Sequence, residues 1–550
     1  MKHRAVKRRS VVLGIGAGAG AVAVGGITLN AQASTTASTA AASTSAGSTP
    51  DSLVFDPDAY TELTATLTDA DGADHEVTYH FWKALTYVAK PVDEKYQSLN
   101  VNVPVKIDGK KVDASRAPIL FANSVGGYMP SSVADATGVG GGGMTGMPTG
   151  GASGSPAPTA SSSGGTGTGE VQSGGNAMVN GGEMVSLPKL ALVAGYVVVE
   201  PGARGRTLKN SAGEWYGTAP AAIVDLKAAV RYVRANKGRI PGDTARIVSC
   251  GVSAGGALSA LLGASGDSPL YDTHLKEIGA ADASDAIFAS GDWCPITDLE
   301  HADGAYEWNW GSNELSTGKQ VDQTVSKQLR AQFAEYQAGL KLRGRDGFGP
   351  LTARNYDDYL LKQYLQPSAT TYLKSLSDSA RTDYLAANPF LTWDGEQATF
   401  TWAGFLAHVG ARKKTVPAFD AFDLSAGENN EFGAGTTEAR HFTAYSLKHD
   451  TSGTTAKRLA ADIPEQLRLM NPMHFLVGKA NPQRARHWWI RLGTKDSDTS
   501  LTVSANLAAA LAGLGDDVDH RYYWDQGHGA NTDPGDFIAW IAKVCGATRK

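Results

Sequence analysis

Five residues, Gly251-Val252-Ser253-Ala254-Gly255, constrain the fold of this chain more than any other part of it. They follow an apolar run, Arg246-Ile247-Val248-Ser249-Cys250, that reads as a buried strand, and they precede Ala257 to Leu262, which reads as a helix. A strand that reverses into a helix over so few residues has no room for side chains beside the turn. Glycines therefore flank the serine, and its hydroxyl stands exposed at the sheet edge. The motif alone is weak: in a chain with 64 glycines about half an occurrence arises by chance. The bland alternative is a glycine-rich turn with a bystander serine, and the flanking strand and helix weigh against it.

The surrounding pattern extends this reading. Tyr79-His80-Phe81-Trp82 and Leu99 to Val103 alternate as strands do. Ala117 to Ala122, Gly195 to Glu200 and Ala286 to Ala289 are short apolar runs of the kind buried on both faces of a sheet. Ile223, Leu226, Val230 and Val233 share one helical face, which Gly238 ends. Strand alternating with helix implies a mainly parallel sheet wrapped on both sides, an α/β fold. The alternation stops after Cys294. Residues 295–470 are richer in polar helical segments, such as Gln328 to Arg343 and Tyr356 to Tyr364, and read as an inserted lid domain. The sheet resumes in 471–550, with strands at Trp488 to Leu492 and Val518 to Trp524 and helices at Ser500 to Leu514 and Asp536 to Val544. The core thus has two parts, 51–294 and 471–550. The first is interrupted by a Gly/Ser/Thr/Pro-rich stretch, 137–182, too poor in apolar residues to build a core.

The first residues read as a targeting segment. Lys2, Arg4, Lys7, Arg8 and Arg9 precede a mild Gly/Ala-rich apolar stretch, and Ala31-Gln32-Ala33 is a small-x-small cleavage site. Residues 1–33 are therefore expected to be a signal peptide, with Arg8-Arg9-Ser10-Val11-Val12 resembling a twin-arginine motif. Residues 34–50 read as a flexible linker. The expectation is export without stable membrane association. A formal net charge of -5 offers no basic surface for nucleic acid. Three cysteines, Cys250, Cys294 and Cys545, permit at most one disulfide, and no spacing suggests a zinc site. No metal or other cofactor is expected.

A serine hydroxyl is a poor nucleophile near neutral pH and needs a base beside it. Gln526-Gly527-His528-Gly529 lies between the last strand and the last helix, and Asp496 and Asp498 follow the strand that ends at Leu492. The order Ser, Asp, His is that of the α/β-hydrolase fold. Taken singly, the two aspartates could be turn residues and the histidine one of twelve. Their joint placement makes that reading weaker. An oxyanion needs backbone N–H donors. Ala254, after the nucleophile, supplies one, and the Gly126-Gly127 loop after an early strand is the natural source of the other.

Longer stretches resemble the bacterial tannases. They include Gly251 to Gly266, Cys294-Pro295-Ile296, Leu299 to Asp303 with Tyr306-Glu307-Trp308, Asn123 to Met129, and Pro201 to Thr207. Pro417 to Asp420, Glu428-Asn429-Asn430 and Asp498-Thr499-Ser500 continue the likeness towards the end of the chain. The resemblance implies an α/β-hydrolase with a large lid and no metal. It makes Ser253 the nucleophile, His528 the base, Asp496 the triad acid, and Gly127 and Ala254 the oxyanion hole. It further implies that Lys414, Glu428 and Asp498 bind the hydroxyls of a galloyl ring and that Ile296 forms an apolar wall against it. Without it, Lys414 would read as a surface lysine in a run with Arg412 and Lys413. The implied activity is hydrolysis of galloyl ester and depside bonds of tannins through an acyl-enzyme, releasing gallic acid. A feruloyl-type or general phenolic esterase shares that mechanism, and a catalytically silent hydrolase fold used for binding is the alternative from another class. Gly427 departs from the proline a family member can carry before the glutamate, which loosens one wall of the ring pocket.

Overall fold

The computed structural model describes residues 50–144, 177–180 and 183–547. The expected signal peptide, most of the linker and the centre of the low-complexity stretch lie outside them. The main sheet contains β1 (Thr61–Thr68), β2 (Asp74–Thr86), β3 (Ser98–Ile107), β4 (Ile119–Ala122), β5 (Val197–Pro201), β6 (Ile247–Val252), β7 (Ala289–Trp293), β8 (His487–Gly493) and β9 (Asp517–Tyr523). They lie in the order β1-β2-β3-β5-β4-β6-β7-β8-β9, and the short strand Lys110–Lys111 pairs with β3. The first three strands and the β3/β5 pair are antiparallel, and every pairing from β5 to β9 is parallel. The parallel strands β4, β5, β6 and β7 are buried throughout, because helices cover both faces of such a sheet.

These helices include α1 (Leu187–Val193), α2 (Ala221–Ala235) and α3 (Ala254–Ala264). Helix α2 buries Ile223, Leu226, Val230 and Val233, as the sequence predicts, but stops at Ala235 with Asn236 as its cap, so Gly238 lies beyond its end. The α/β-hydrolase arrangement expected from the order of strands and helices is present.

Three expectations are corrected. The strand placed at Ala286 to Ala289 runs from Ala289 to Trp293. Its Ser290, Gly291 and Asp292 disguise it. Gly291 is required because a Cβ there would stand 2.8 Å from the Phe537 ring, and Asp292 is buried and pairs with Gly251 in the neighbouring strand. The helix placed at Gln328 to Arg343 is Gln323–Leu340, started earlier by Asp322, whose carboxylate accepts from the Thr324 and Val325 N–H groups. The low-complexity stretch is bounded too widely. Gly143–Met144 pairs with Ser131–Ser132, and Ala177–Asn180 pairs with Glu183–Ser186. Val139 and Met178 are buried. Composition averaged over the glycines and serines hides these few apolar residues.

Residues 295–470 leave the sheet after β7 and return at β8, which is the neighbouring strand. This insertion contains α4 (Leu299–Trp310) and α5 (Gln323–Leu340). Many of its aromatic residues, among them Tyr356, Tyr359, Phe400 and Phe405, belong to the same apolar cluster as the sheet. Two further helices, α6 (Leu501–Gly513) and α7 (Pro534–Cys545), follow β8 and β9. All three cysteines are free.

Candidate active site

Ser253 stands between β6 and α3 with φ 60° and ψ -122°, a backbone conformation that costs an L-residue free energy and persists only where its surroundings enforce it. Packing enforces it here. A Cβ on Gly251 would stand 2.3 Å from the Gly255 carbonyl oxygen, and one on Gly255 2.5 Å from that of Val125. Asn123, at the end of β4, donates from its side-chain amide to the Cys250 and Gly255 carbonyls at 3.1 and 3.0 Å. The Ser253 N–H donates to the Trp293 carbonyl at 3.0 Å. The elbow is thus tied to β7 and to the residue before Cys294.

Parallel strands end on one sheet edge, so the loops after β6, β8 and β9 share it. The last two are bonded together: the Thr494 N–H donates to Tyr523 and that of Lys495 to Gln526, each at 2.9 Å. In this frame His528 Nδ1 lies 2.8 Å from a carboxylate oxygen of Asp496, which is fully buried. The other Asp496 oxygen accepts the Asp498 N–H at 2.9 Å. Asp498 stands 3.7 Å from the same ring nitrogen. His528 Nε2 faces the Cys294 Sγ at 3.9 Å. Burial opposes charging of the imidazole, but Asp496 and the Cys294 sulfur outweigh it, and the His528 pKa lies well above that of a free histidine.

Several residues the sequence did not single out hold the loop that carries His528. Asp525, three residues before His528, pairs with His408 at 2.5 Å, with Lys495 at 3.1 Å and with the Tyr384 hydroxyl. Two of these partners come from the insertion. The Val179 N–H donates to the Gly529 carbonyl at 3.2 Å, and the Asn531 N–H donates to Val179 at 2.9 Å. The end of the low-complexity stretch therefore props the loop that carries His528.

On the other side of the elbow, Gly127 has φ 54° and Tyr128 φ 55°. The Gly127 carbonyl accepts from Arg206 Nε at 2.8 Å, and the Arg206 N–H donates to the Tyr128 carbonyl at 2.9 Å. Arg206 also donates to the Asn430 side chain at 3.0 Å. Ala254 opens α3, so its N–H is a first-turn donor without an intrahelical acceptor. Gly427 lies against this arginine: a Cβ there would stand 2.9 Å from the Arg206 guanidinium. We expect Arg206→Ala to lower kcat toward any ester about 10-fold while moving KM little, less than the 10²–10³-fold typical of losing an oxyanion donor outright. Steady-state kinetics on two unrelated esters check it, and an effect confined to KM would separate Arg206 from any role through the Gly126-Gly127 loop.

Lys414 Nζ lies 3.4 Å from Glu428 and 3.5 Å from the centre of the Phe419 ring. Asp498 pairs with Lys413 at 2.7 Å. Burial raises the Asp498 pKa, but His528, Lys413 and Lys414 together pull it below the usual carboxylate value. Ile296 is buried and its carbonyl accepts from the Tyr128 hydroxyl at 3.1 Å. Of the three polar residues named from the resemblance, Asp498 stands beside His528, and Lys414 and Glu428 pair with each other.

Comparison with known proteins agrees with this architecture. A family model described as BD-FAE matches residues 176–337. A curated relative, esterase LipC of Mycobacterium tuberculosis, is 40% identical over 76 residues, which span 14% of this chain and 19% of that protein. The native structure of the Lactobacillus plantarum tannin acyl hydrolase is 35% identical, with 90% of this chain and 99% of that one covered at a TM-score of 0.71. The Fusobacterium nucleatum tannase is 33% identical over the same shares, with a TM-score of 0.72. A tannin acyl hydrolase in complex with ethyl gallate is 35% identical, again over 90% and 99%, at 0.71.

The chain belongs to the tannase family. It is a carboxylic ester hydrolase of the α/β-hydrolase fold.

Within this tannase-family frame, helix α4 explains how the insertion and the sheet edge are joined. Glu307 forms a buried ion pair with Arg412 at 2.9 Å, and Arg412 also donates to the carbonyls of Lys414 and Thr415 at 2.8 and 3.0 Å. Asp303 accepts from the Phe419 N–H at 2.7 Å and the Asp420 N–H at 3.2 Å. Burial, and then the charge of Asp420, push its pKa up to about 7. Tyr306 donates to the Ser497 carbonyl at 2.8 Å and accepts the Lys414 N–H at 3.0 Å. Trp310 donates to Thr499 at 2.7 Å. One helix therefore fixes both the loop that carries Lys414 and the loop that carries Asp496 and Asp498. The signal in the sequence is Asp303, Tyr306, Glu307 and Trp310 at helical spacing, a polar stripe with no place on an ordinary core face. Arg412, which reads as a surface residue, is fully buried.

Proposed function

We propose that the chain hydrolyses galloyl esters through a covalent acyl-serine. The observation that supports this reading is Asp498 3.7 Å from His528 and within reach of the charge of Lys414, which pairs with Glu428. Phenol hydroxyls are better donors than alcohols. Glu428 and Asp498 accept from two ring hydroxyls, and Lys414 donates to a phenolic oxygen. Such charge-assisted bonds are the strong ones. The ring enters with its carbonyl over Ser253 and one face against Ile296.

His528 Nε2 then removes the Ser253 proton as the oxygen attacks, and Asp496 fixes the tautomer and stabilises the imidazolium. The oxyanion is met by the Gly127 and Ala254 N–H groups. The imidazolium returns its proton to the leaving alcohol, and a water repeats the sequence to release gallic acid. A ring without hydroxyls leaves Lys414, Glu428 and Asp498 short of partners, which penalises it. Methyl gallate should exceed methyl benzoate in kcat/KM by about 10²-fold or more, with methyl ferulate between them. Equal rates on the three esters would reduce the reading to a general phenolic esterase.

We also propose export. It rests on the basic first residues and the Ala31-Gln32-Ala33 site, and no helix of the described residues is long and apolar enough to cross a membrane. Terminal sequencing of protein from the culture medium should begin at Ser34. An intact Met1 would remove the cleavage site from the account.

A further inference from the structure

We propose that a cleft in the insertion, lined by α4, α5 and the helix Ile463–Met470, binds a small aromatic carboxylate of one or two rings, and that an occupied cleft weakens the hold on the ester. The weakening rests on Lys414 gripping the substrate ring; the binding does not.

The cleft has a volume of about 540 Å³, within the range of small-molecule sites. Its walls are apolar: Leu329 and Phe333 from α5, Leu467 from the later helix, and Phe442 from the segment after His441. The polar groups around them are matched with one exception. Glu300 faces His474 at 3.5 Å. His301 Nδ1 lies 2.8 Å from Asp298, and Asp298 is itself held by Asn471 at 2.7 Å and by the Tyr336 hydroxyl at 2.5 Å. The imidazole lies flat on the Tyr336 ring, with 3.5 Å between centres. Burial lowers the His301 pKa, but Asp298 outweighs it and holds it above that of a free histidine. With Nδ1 spent on Asp298, the second ring nitrogen is the one left to donate to a ligand. The remaining acid, Asp303, already accepts from the Phe419 and Asp420 N–H groups. Arg468 also lines the cleft, and it pairs with no carboxylate among the described residues. Its guanidinium is the charge without a partner. The cleft is therefore complementary to one negative charge on a flat apolar body, which a carboxylate on an aromatic ring supplies.

Asp303 joins this cleft to the ester side. It lines the cleft, and its bonds to the Phe419 and Asp420 N–H groups, at 2.7 and 3.2 Å, fix the loop that follows Lys414. Lys414 Nζ rests 3.5 Å from the centre of the Phe419 ring. Burial and the charge of Asp420 push the Asp303 carboxyl up to about 7, against the pull of the two N–H groups and of Lys414. A ligand carboxylate in the cleft is one more like charge, and it raises the proton affinity of Asp303 further. A protonated carboxyl accepts more weakly than a carboxylate. Phe419, and with it Lys414, then loses part of its support.

The test uses the purified full-length enzyme with biphenyl-4-carboxylate as the anion and biphenyl-4-carboxamide as its neutral twin. Neither carries ring hydroxyls, so neither suits a site that reads them. Binding is followed by calorimetric titration of the enzyme before and after exhaustive treatment with a fluorophosphonate, and KM and kcat are measured on methyl gallate. The carboxylate is expected to bind both forms at about one per chain, and the carboxamide at least about 10-fold more weakly. Arg468→Ala and the charge-reversed Arg468→Glu should keep the ligand-free kcat and KM, lose at least about 10-fold in affinity for the carboxylate, and change little toward the carboxamide. Saturating carboxylate should raise KM for methyl gallate at least about 5-fold with kcat little changed, and the rise should vanish in both variants. Carboxamide binding as tight as carboxylate binding, or a carboxylate affinity unmoved by Arg468→Glu, would overturn the cleft as the site, as would no binding at all. A KM rise that survives Arg468→Glu places the carboxylate in competition with the ester and overturns the regulation. Binding that follows the expected pattern while KM stands still supports the cleft and overturns its link to Lys414.

Discussion

Ser253→Ala is expected to lower kcat toward gallate esters by at least about 10⁴-fold, with substrate affinity close to that of the unaltered chain. The size follows from what the residue would do. On the proposed mechanism it would form the bond that splits hydrolysis into two easier steps, and without it only the proposed oxyanion donors and binding groups would remain. Affinity survives because the groups that would hold the ring, Lys414 with Glu428 and Asp498 with Lys413, lie on other loops. The fold should survive as well. The Ser253 backbone rests on its N–H bond to Trp293 and on the glycines around it, not on the hydroxyl. Equilibrium binding of a gallate ester to the variant and a fluorophosphonate label on the unaltered chain complete the experiment. Labelling at Ser253 excludes a catalytically silent fold. A variant that turns over normally would move the nucleophile elsewhere.

What the sequence discloses of such a site depends on whether the chemistry is local. The elbow is legible because its constraint is contained in five residues: each glycine sits where a Cβ would meet backbone at 2.3–2.5 Å, and no other residue type can stand there. The strands of the parallel sheet are legible because burial on two faces demands apolar runs. The strand Ala289–Trp293 is displaced in a reading by pattern because Gly291 answers to Phe537, which lies far along the chain. The same is true of the supports of the site. Nothing near Arg412 discloses that Glu307 will meet it in the interior, and nothing near Asp525 announces Tyr384 and His408. The family resemblance named Lys414, Glu428 and Asp498, but the lysine that pairs with Asp498 in the structure is Lys413. Against burial, the charges of His528 and then Lys413 hold the Asp498 pKa below the usual carboxylate value.

The two acids near the base give the second large effect, and they can be told apart. Asp496 is fully buried and 2.8 Å from His528 Nδ1, whereas Asp498 is 3.7 Å away and bonded to Lys413. An acid that holds the imidazole matters for every ester, so Asp496→Asn should slow gallate and a simple aryl acetate alike, by about 10⁴-fold. An acid that reads a ring hydroxyl matters only when the hydroxyl is there. Asp498→Ala should slow gallate by about 10²-fold or more and largely spare the acetate, with Lys414→Ala and Glu428→Ala following the same pattern. The pH profile separates the roles a second time. The base works when neutral, so kcat/KM falls as the pH drops through the His528 pKa in the free enzyme. Burial lowers that pKa, but the charge of Asp496 and the neighbouring Cys294 raise it above the free-histidine value, so the acid limb should lie above about pH 6.5. Removing the Asp496 charge takes away the chief group that raises it, and the residual activity of Asp496→Asn should persist to lower pH than that of the unaltered chain. Asp498→Ala should move the limb in the same direction by less, because its charge is farther from the ring and shared with Lys413. A larger shift in Asp498→Ala, together with loss of the acetate reaction there, would exchange the two assignments.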